Sequence, residues 1–269
     1  MKNSRCVCIG CFLSDCKNPK LCYTGSYKGG LSMERMEQLW PNGPQYWYDE
    51  QCFPPSTDSF LLGSFPSLRR GERVCDLGAG AGLLSLLLLA REPTLQLTGI
   101  ELDDHACGMM ARNAAVNGLP LSVMQADLRN RAGLPSGQFR LVVSNPPYFA
   151  PHTGAVSEGL RGQARAELTA SLDDICAAAA RLLQWGGRLC LVYRPERLAA
   201  LMTAAVAHGL EPKRLRFVQH TAGSAPSLLL LECRRGGKPG LTVEPPLLLR
   251  LPDGSESPDV RRAYFRDKE

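Results

Sequence analysis

Val74-Cys75-Asp76-Leu77-Gly78-Ala79-Gly80-Ala81-Gly82 reads as a short apolar strand, an acid and a glycine turn, and the leucines from Leu83 onward continue it as a helix. A strand that runs through a glycine turn into a helix is the opening unit of an open, parallel α/β sheet. The turn spells G-x-G-x-G through Gly78, Gly80 and Gly82. The dinucleotide fingerprint needs its third glycine one position later, where this chain has Leu83. Nicotinamide and flavin cofactors are therefore disfavoured. The absence of Gly-Lys-Ser/Thr after the turn removes a nucleotide-triphosphate loop as well.

Outward from the turn, strands and helices alternate. Leu83 to Ala90 reads as a helix, Leu95 to Glu101 as a strand, Asp104 to Asn117 as a helix stopped by Gly118, and Leu121 to Gln125 and Leu141 to Ser144 as strands. A helix over Leu172 to Leu183, a strand over Arg188 to Tyr193 and a helix over Glu196 to His208 follow. Arg214 to Gln219 and Leu228 to Cys233 are strands too close for a helix between them, so they predict an antiparallel hairpin. The expected fold is α/β, a Rossmann-like, mainly parallel seven-stranded sheet with a C-terminal antiparallel hairpin.

Three acids fall at carboxyl ends of these strands: Asp76, Glu101 and Asp127. Ligands of open α/β sheets bind along that edge. Asp76 beside Gly78, Gly80 and Gly82 suits a ligand with an amino-acid ammonium, and glycines let the backbone come close. Glu101 is placed to grip ribose hydroxyls, and Asp127 to accept from an adenine amine. That set of groups describes S-adenosylmethionine. Taken singly, each acid is also a common helix cap or solvated loop residue.

The second decisive stretch is Asn145-Pro146-Pro147-Tyr148, directly after the apolar Leu141-Val142-Val143-Ser144. The amine of adenine is a poor nucleophile because its lone pair is delocalised into the ring. Two acceptors aimed at its two N–H bonds rotate it out of conjugation. The Asn145 side-chain oxygen and the Pro146 carbonyl supply them, and two prolines make the loop rigid. Tyr148 offers a face for the base, a stacking contact of roughly 1–3 kcal/mol.

Four regions follow. Residues 1–32 carry Cys6, Cys8, Cys11, Cys16 and Cys22 without strand or helix period. Their spacing matches no familiar zinc pattern and includes no His. They read as a disordered Cys-rich tail, or as sequence upstream of a true start at Met33. Residues 33–72 form a lead-in over the cofactor site, with a short helix expected over Met33 to Leu39 and another over Ser59 to Phe65, capped by Thr57 or Asp58. Residues 73–235 are the sheet domain. Residues 236–269, rich in Pro and Gly, read as a loose tail with one edge strand at Leu247-Leu248-Leu249.

The composition is that of an ordinary globular chain: 269 residues, 44% hydrophobic, 21% charged, with a formal charge of +5. The charge leans weakly toward a polyanionic partner. Two basic clusters, Lys213/Arg214/Arg216 and Arg234/Arg235/Lys238, read as a solvated rim or as a phosphate-binding surface. Six further cysteines are scattered through apolar runs, as reduced thiols are. No run is long enough to span a bilayer, and no secretory signal is evident. A cytoplasmic protein without a membrane segment, a metal ligand set or a stable protein partner is expected.

On these residues the chain resembles the bacterial valine-tRNA adenine-37 N6-methyltransferases, class I enzymes with an Asn-Pro-Pro-Tyr motif. The resemblance runs from about Met33 to about Val243 and includes Phe53 to Asp58, Leu61-Leu62, Gly99-Ile100-Glu101, Arg112-Asn113, Asn117-Gly118-Leu119, Ala164-Arg165-Ala166-Glu167, Val192 to Leu198 and Pro212 to Arg216. It implies S-adenosylmethionine at Asp76, Gly78, Gly80, Gly82, Glu101 and Asp127, with Thr57 and Asp58 approaching from the N-terminal side. It implies catalysis by Asn145, Pro146 and Tyr148, substrate contacts from Pro147, Phe149 and Arg165, and tRNA as partner. The competing expectation is a protein glutamine N5-methyltransferase acting on release factors, since a glutamine amide is equally planar. Those enzymes carry a helical domain before the glycine turn, for which Met33 to Asp76 is too short.

Overall fold

The structure is a computed structural model and describes residues 33–147 and 170–268. Tyr148, Phe149, Arg165 and the cysteine-rich residues 1–32 lie outside the described residues.

The lead-in opens with β1 (Arg35–Gln38) and β2 (Gln45–Tyr48), an antiparallel hairpin. The expected helix over Met33 to Leu39 is thus a strand. Met-Glu-Arg-Met-Glu favours a helix locally, but pairing with β2 wins because β2 is itself anchored to the core, as described below. Next comes α1 (Thr57–Ser64). Its N-cap is Ser56, one residue before the expected pair: the Ser56 hydroxyl accepts from the Ser59 N–H.

The α/β unit then runs β3 (Arg73–Leu77), α2 (Leu83–Arg91), β4 (Gln96–Glu101), α3 (Asp104–Val116), β5 (Leu121–Gln125), β6 (Phe139–Ser144), α4 (Leu172–Leu182), β7 (Leu183–Tyr193), α5 (Leu198–Ala207), β8 (Leu210–Gln219) and β9 (Pro226–Arg235). These seven strands lie in the order β5-β4-β3-β6-β7-β9-β8, with only β9 antiparallel to its neighbours. Two short strands, β10 (Thr242–Val243) and β11 (Leu247–Leu248), extend the far edge by pairing parallel to β8.

Strand alternation divides the core between two faces. On one face Val74, Leu141, Val143, Cys190, Val192 and Leu230 pack with α1, α2 and α3. On the other Cys75, Leu77, Val142, Leu189, Leu191 and Leu231 pack with α4 and α5. Seven successive residues of α2, Leu83 to Leu89, are buried. A helix apolar all round is enclosed all round, here by the sheet beneath and α1 above, where a Cβ on Gly63 would stand 3.2 Å from Leu87.

The C-terminal segment is not a loose tail. After β11, α6 (Pro258–Ala263) leads to Tyr264 and Phe265, both buried against the lead-in. Tyr264 stacks on Phe60 of α1 at 4.3 Å and Phe265 on Trp40 at 3.9 Å. The chain closes on itself through aromatic residues that Pro/Gly frequency does not reveal.

The first basic cluster does not form an open phosphate surface. Arg214 pairs with Glu232 and Glu244 and lies over the Phe65 ring at 3.9 Å; Arg216 pairs with Asp259. Through Glu232 this network reaches Arg188, which bonds the buried Glu72 at 3.0 Å. The second cluster ends β9. Because β9 runs antiparallel, Arg234 lies beside Arg188 at the amino ends of the parallel strands, away from the carboxyl edge.

Candidate active site

Register alone assembles the site. Asp76 is paired with Gly99 of β4 on one side and with Val143 of β6 on the other, and Glu101 is paired with Gln125. Two residues beyond Asp76, Gly99 and Val143 stand Gly78, Glu101 and Asn145, and Asp127 lies two residues beyond Gln125, the partner of Glu101. Glu101, Gly78 and Asn145 form a row along the carboxyl edge, with Asp127 just beyond its β5 end. The three inter-strand steps from β5 to β6 span about 14 Å. The row crosses the point between β3 and β6 where the order of strands reverses, the usual ligand crevice of such sheets. Ser144 ties the two central strand ends together by donating from its hydroxyl to the Leu77 carbonyl at 2.8 Å.

The glycines of the turn divide by role. Gly78, Gly80 and Gly82 all have positive φ, which other residues adopt at a cost. A Cβ on Gly78 or Gly80 would meet nothing within 4 Å, so both border open space. A Cβ on Gly82 would stand 2.8 Å from Met110, and one on Gly99 closer still. Gly82 therefore serves the packing of α3, while Gly78 and Gly80 leave a cradle that a side chain would fill.

Glu101 is held rigidly beside that cradle. One carboxylate oxygen accepts from the Gly80 N–H at 2.8 Å; the other accepts from Leu102 N at 2.7 Å and Asp103 N at 3.0 Å. Asp76 is buried and accepts from the Ser85 hydroxyl of α2 at 2.7 Å. Burial raises its carboxyl to about 7, partly offset by Ser85 and helped by the nearby Glu101 charge. Asp127 is more exposed, and its carboxyl is clasped by Arg129, with bonds of 2.7 to 3.0 Å that hold it below the usual carboxylate range.

Asn145 begins the loop after β6. Its side-chain amide donates to the Ser59 hydroxyl of α1 at 3.0 Å, and Ser59 in turn contacts the Ser56 hydroxyl at 3.2 Å. Pro146 is buried behind it and Pro147 is exposed. Thr57 and Asp58 sit in the first turn of α1, beside Ser59. The Thr57 hydroxyl accepts from Tyr264 at 3.0 Å. Ser59 escaped the sequence reading because nothing local distinguishes it from the adjacent Ser56, Thr57 and Asp58.

Asn113 of α3 and Asn117 at its C-cap carried the resemblance in sequence, but no role could be read for them there. Asn113 accepts from the Trp47 N–H at 2.8 Å and donates to the carbonyls of Trp47 and Ala81, both at 2.9 Å. One turn later Asn117 accepts from the Gln45 N–H and donates to the Gln45 carbonyl. The two amides act as a surrogate strand for β2, and Asn113 joins the lead-in to the glycine turn itself.

The sheet order, the glycine cradle and the strand-end acids define a class I S-adenosylmethionine-dependent methyltransferase. The family model described as the methyltransferase small domain matches residues 56–207. A Tolumonas auensis protein named tRNA1(Val) (adenine(37)-N6)-methyltransferase is 35% identical, over 78% of this chain and 88% of its own. A Parabacteroides distasonis protein of the same name is 32% identical, over 69% of this chain and 78% of its own. Among solved structures, a predicted O-methyltransferase from Agrobacterium tumefaciens superposes with a TM-score of 0.64 at 26% identity, covering 78% of this chain and 96% of that one. The chain belongs to the tRNA1(Val) (adenine(37)-N6)-methyltransferase family.

Proposed function

We propose that the protein transfers a methyl group from S-adenosylmethionine to N6 of an adenine in tRNA, next to the anticodon, and that it works in the cytoplasm. Two facts support the reading: the relatives carry this activity in their names, and the matching family model, residues 56–207, spans both the glycine turn and Asn145. The observation that carries it in this chain is the placement of Asn145 beside the open glycine cradle, with its amide nitrogen engaged by Ser59.

S-adenosylmethionine supplies an activated methyl group on a positively charged sulfur. The residues present fit it. Gly78 and Gly80 border open space, and when the cofactor binds Glu101 would hold its ribose, Asp127 its adenine amine and Asp76 its ammonium. Gly82 acts at one remove, by letting α3 close on the turn, and Thr57 and Asp58 flank the site from α1. Since the Asn145 nitrogen bonds to Ser59, its oxygen is directed to the other side. There it accepts one N–H of the target amine while the Pro146 carbonyl accepts the other. Held by these two acceptors, the amine would present its lone pair out of the ring plane. By the family resemblance Tyr148 would serve to stack on the base, Pro147 and Phe149 to contact it, and Arg165 to contact RNA. Catalysis on this reading is placement rather than proton transfer.

Labelled S-adenosylmethionine offered to total tRNA and to release factor in parallel tests the assignment. Label in N6-methyladenosine from tRNA is expected; label in release factor alone would mean that the loop holds a glutamine amide. Asn145→Ala is expected to abolish transfer and spare cofactor binding. Ser59→Ala is expected to lower turnover by about 10²-fold, the cost of a catalytic group misplaced by an ångström, at nearly unchanged cofactor affinity.

A further inference from the structure

Between the lead-in and the sheet domain lies a cluster that the methyl-transfer site does not use. Asp49, Cys52 and His105 bring a carboxylate oxygen, a thiol sulfur and an imidazole nitrogen within 4.8 Å of one another. Asp49 and Cys52 are three residues apart on the turn that follows β2. His105 comes from the first turn of α3, 56 residues beyond Asp49. This separation is why no sequence spacing announces the group.

The turn is built to aim its two donors together. One oxygen of Asp49 accepts from the backbone N–H groups of Gln51, at 2.8 Å, and Cys52, at 3.1 Å. That leaves its other oxygen turned toward His105 Nε2, at 2.7 Å. The Asp49 side chain is 1% exposed and the His105 side chain 38%. The group is thus closed on the protein side and reachable from solvent through the imidazole.

We propose that Asp49, Cys52 and His105 form a binding site for a zinc-class divalent cation. One sulfur, one nitrogen and one oxygen donor in a small volume match the borderline ligand preference of Zn²⁺, whereas Mg²⁺ and Ca²⁺ select oxygen alone. Three protein ligands leave the fourth tetrahedral position to water, on the exposed His105 side. On binding, Cys52 gives its thiol proton to solvent. The proton between His105 Nε2 and Asp49 leaves Nε2 through solvent, the ligating ring carries its single proton on Nδ1, and the ion takes the place of that hydrogen bond. His105 and Asp49 separate slightly to admit it, which a part-exposed imidazole allows. The ion ties the turn at Asp49–Cys52 to the start of α3, four residues past Glu101. It therefore braces the lead-in that carries Ser59, independently of whether the methyl acceptor is tRNA.

The test is a Co²⁺ titration of the full chain, kept reduced with a phosphine, beside Cys52→Ala and His105→Gln. The five cysteines of residues 1–32 can add thiolate sites of their own, so the readout is the difference between proteins. The wild type is expected to bind one Co²⁺ more than either variant, with a thiolate charge-transfer band of single-sulfur intensity. Zinc is expected to raise the melting temperature of the wild type and of neither variant. Losing a ligand should weaken this site by about 100-fold or more, since even outer-shell partners are worth 10–100-fold. Equal stoichiometry in all three proteins, or an equal zinc effect on melting, would overturn the proposal. Asp49→Asn guards against a folding artefact: its oxygen keeps the bonds from the Gln51 and Cys52 N–H groups and its amide N–H donates to His105 Nε2, so it should fold normally and yet lose the extra ion. No arm reads methyl transfer, so failure here leaves the functional reading untouched.

Discussion

Asp76 is the residue whose chemistry the fold changes most. It sits at the end of β3 with almost no solvent exposure, and its carboxyl is raised to about 7 by burial. The sign follows from linkage. A carboxyl raised on folding favours the folded state while protonated, so its contribution is fully present below the ordinary carboxylate value and is lost as pH rises through about 7. A cofactor ammonium pulls the other way, because it pairs with the ionised form. Binding should then release a proton below neutrality. Isothermal titration of S-adenosylmethionine is expected to show affinity falling by up to roughly tenfold per pH unit below about 7. The heat should depend on the ionisation enthalpy of the buffer. Asp76→Asn should bind more weakly and without this pH dependence. An affinity in the wild type that is flat across neutrality would remove Asp76 from the ammonium site. The pattern of Asp76, the glycines and Glu101 was legible in sequence because turn chemistry and strand ends are local. The division between Gly78/Gly80 and Gly82 was not, because only the position of Met110 separates them.

At the scale of elements, what escaped the sequence is what is made by pairing across distance. The β1 segment reads as a helix on its own and becomes a strand because β2 is fixed by α3. Arg214 and Arg216, two apart on β8, face the same side and meet acids 18 to 43 residues away in sequence. Counting charges along the chain could not pair them. The asparagine ladder is the sharpest case, since Asn113 is fully buried and makes three bonds to backbone groups. Asn113→Ala leaves the Trp47 N–H and two carbonyls short of a partner. At about 1–3 kcal/mol for each buried group stranded, and with water reaching the part-exposed hairpin, a net loss of about 2–4 kcal/mol is expected. Chemical denaturation should show it as a lower midpoint. Hydrogen exchange should show β1 and β2 opening before β3 and β4. If the hairpin amides stay as protected as those of the sheet, β2 is held by something other than α3.

For the whole molecule, the decisive contact joins the two ends of the described chain. Tyr264 lies 207 residues beyond Thr57, donates to its hydroxyl and stacks on Phe60, in the same helix that presents Ser59 to Asn145. The C-terminal segment is therefore a buttress for the helix that holds Asn145. The two parts of this contact can be separated. Tyr264→Phe keeps the ring and loses one hydrogen bond, at about 0.5–1.5 kcal/mol. Tyr264→Ala removes the ring from a buried stack and should cost about 3–5 kcal/mol. If α1 is held in place mainly by the ring, the phenylalanine variant should retain near-native turnover. The alanine variant should lose turnover more than tenfold at a temperature where circular dichroism still reports it folded, because α1 shifts and carries Ser59 with it. Adding Ser59→Ala to Tyr264→Ala should then cost little more than either alone, since both act through the position of Asn145. Fully additive losses in that double-mutant cycle would show that the C-terminal segment stabilises the protein without positioning its site.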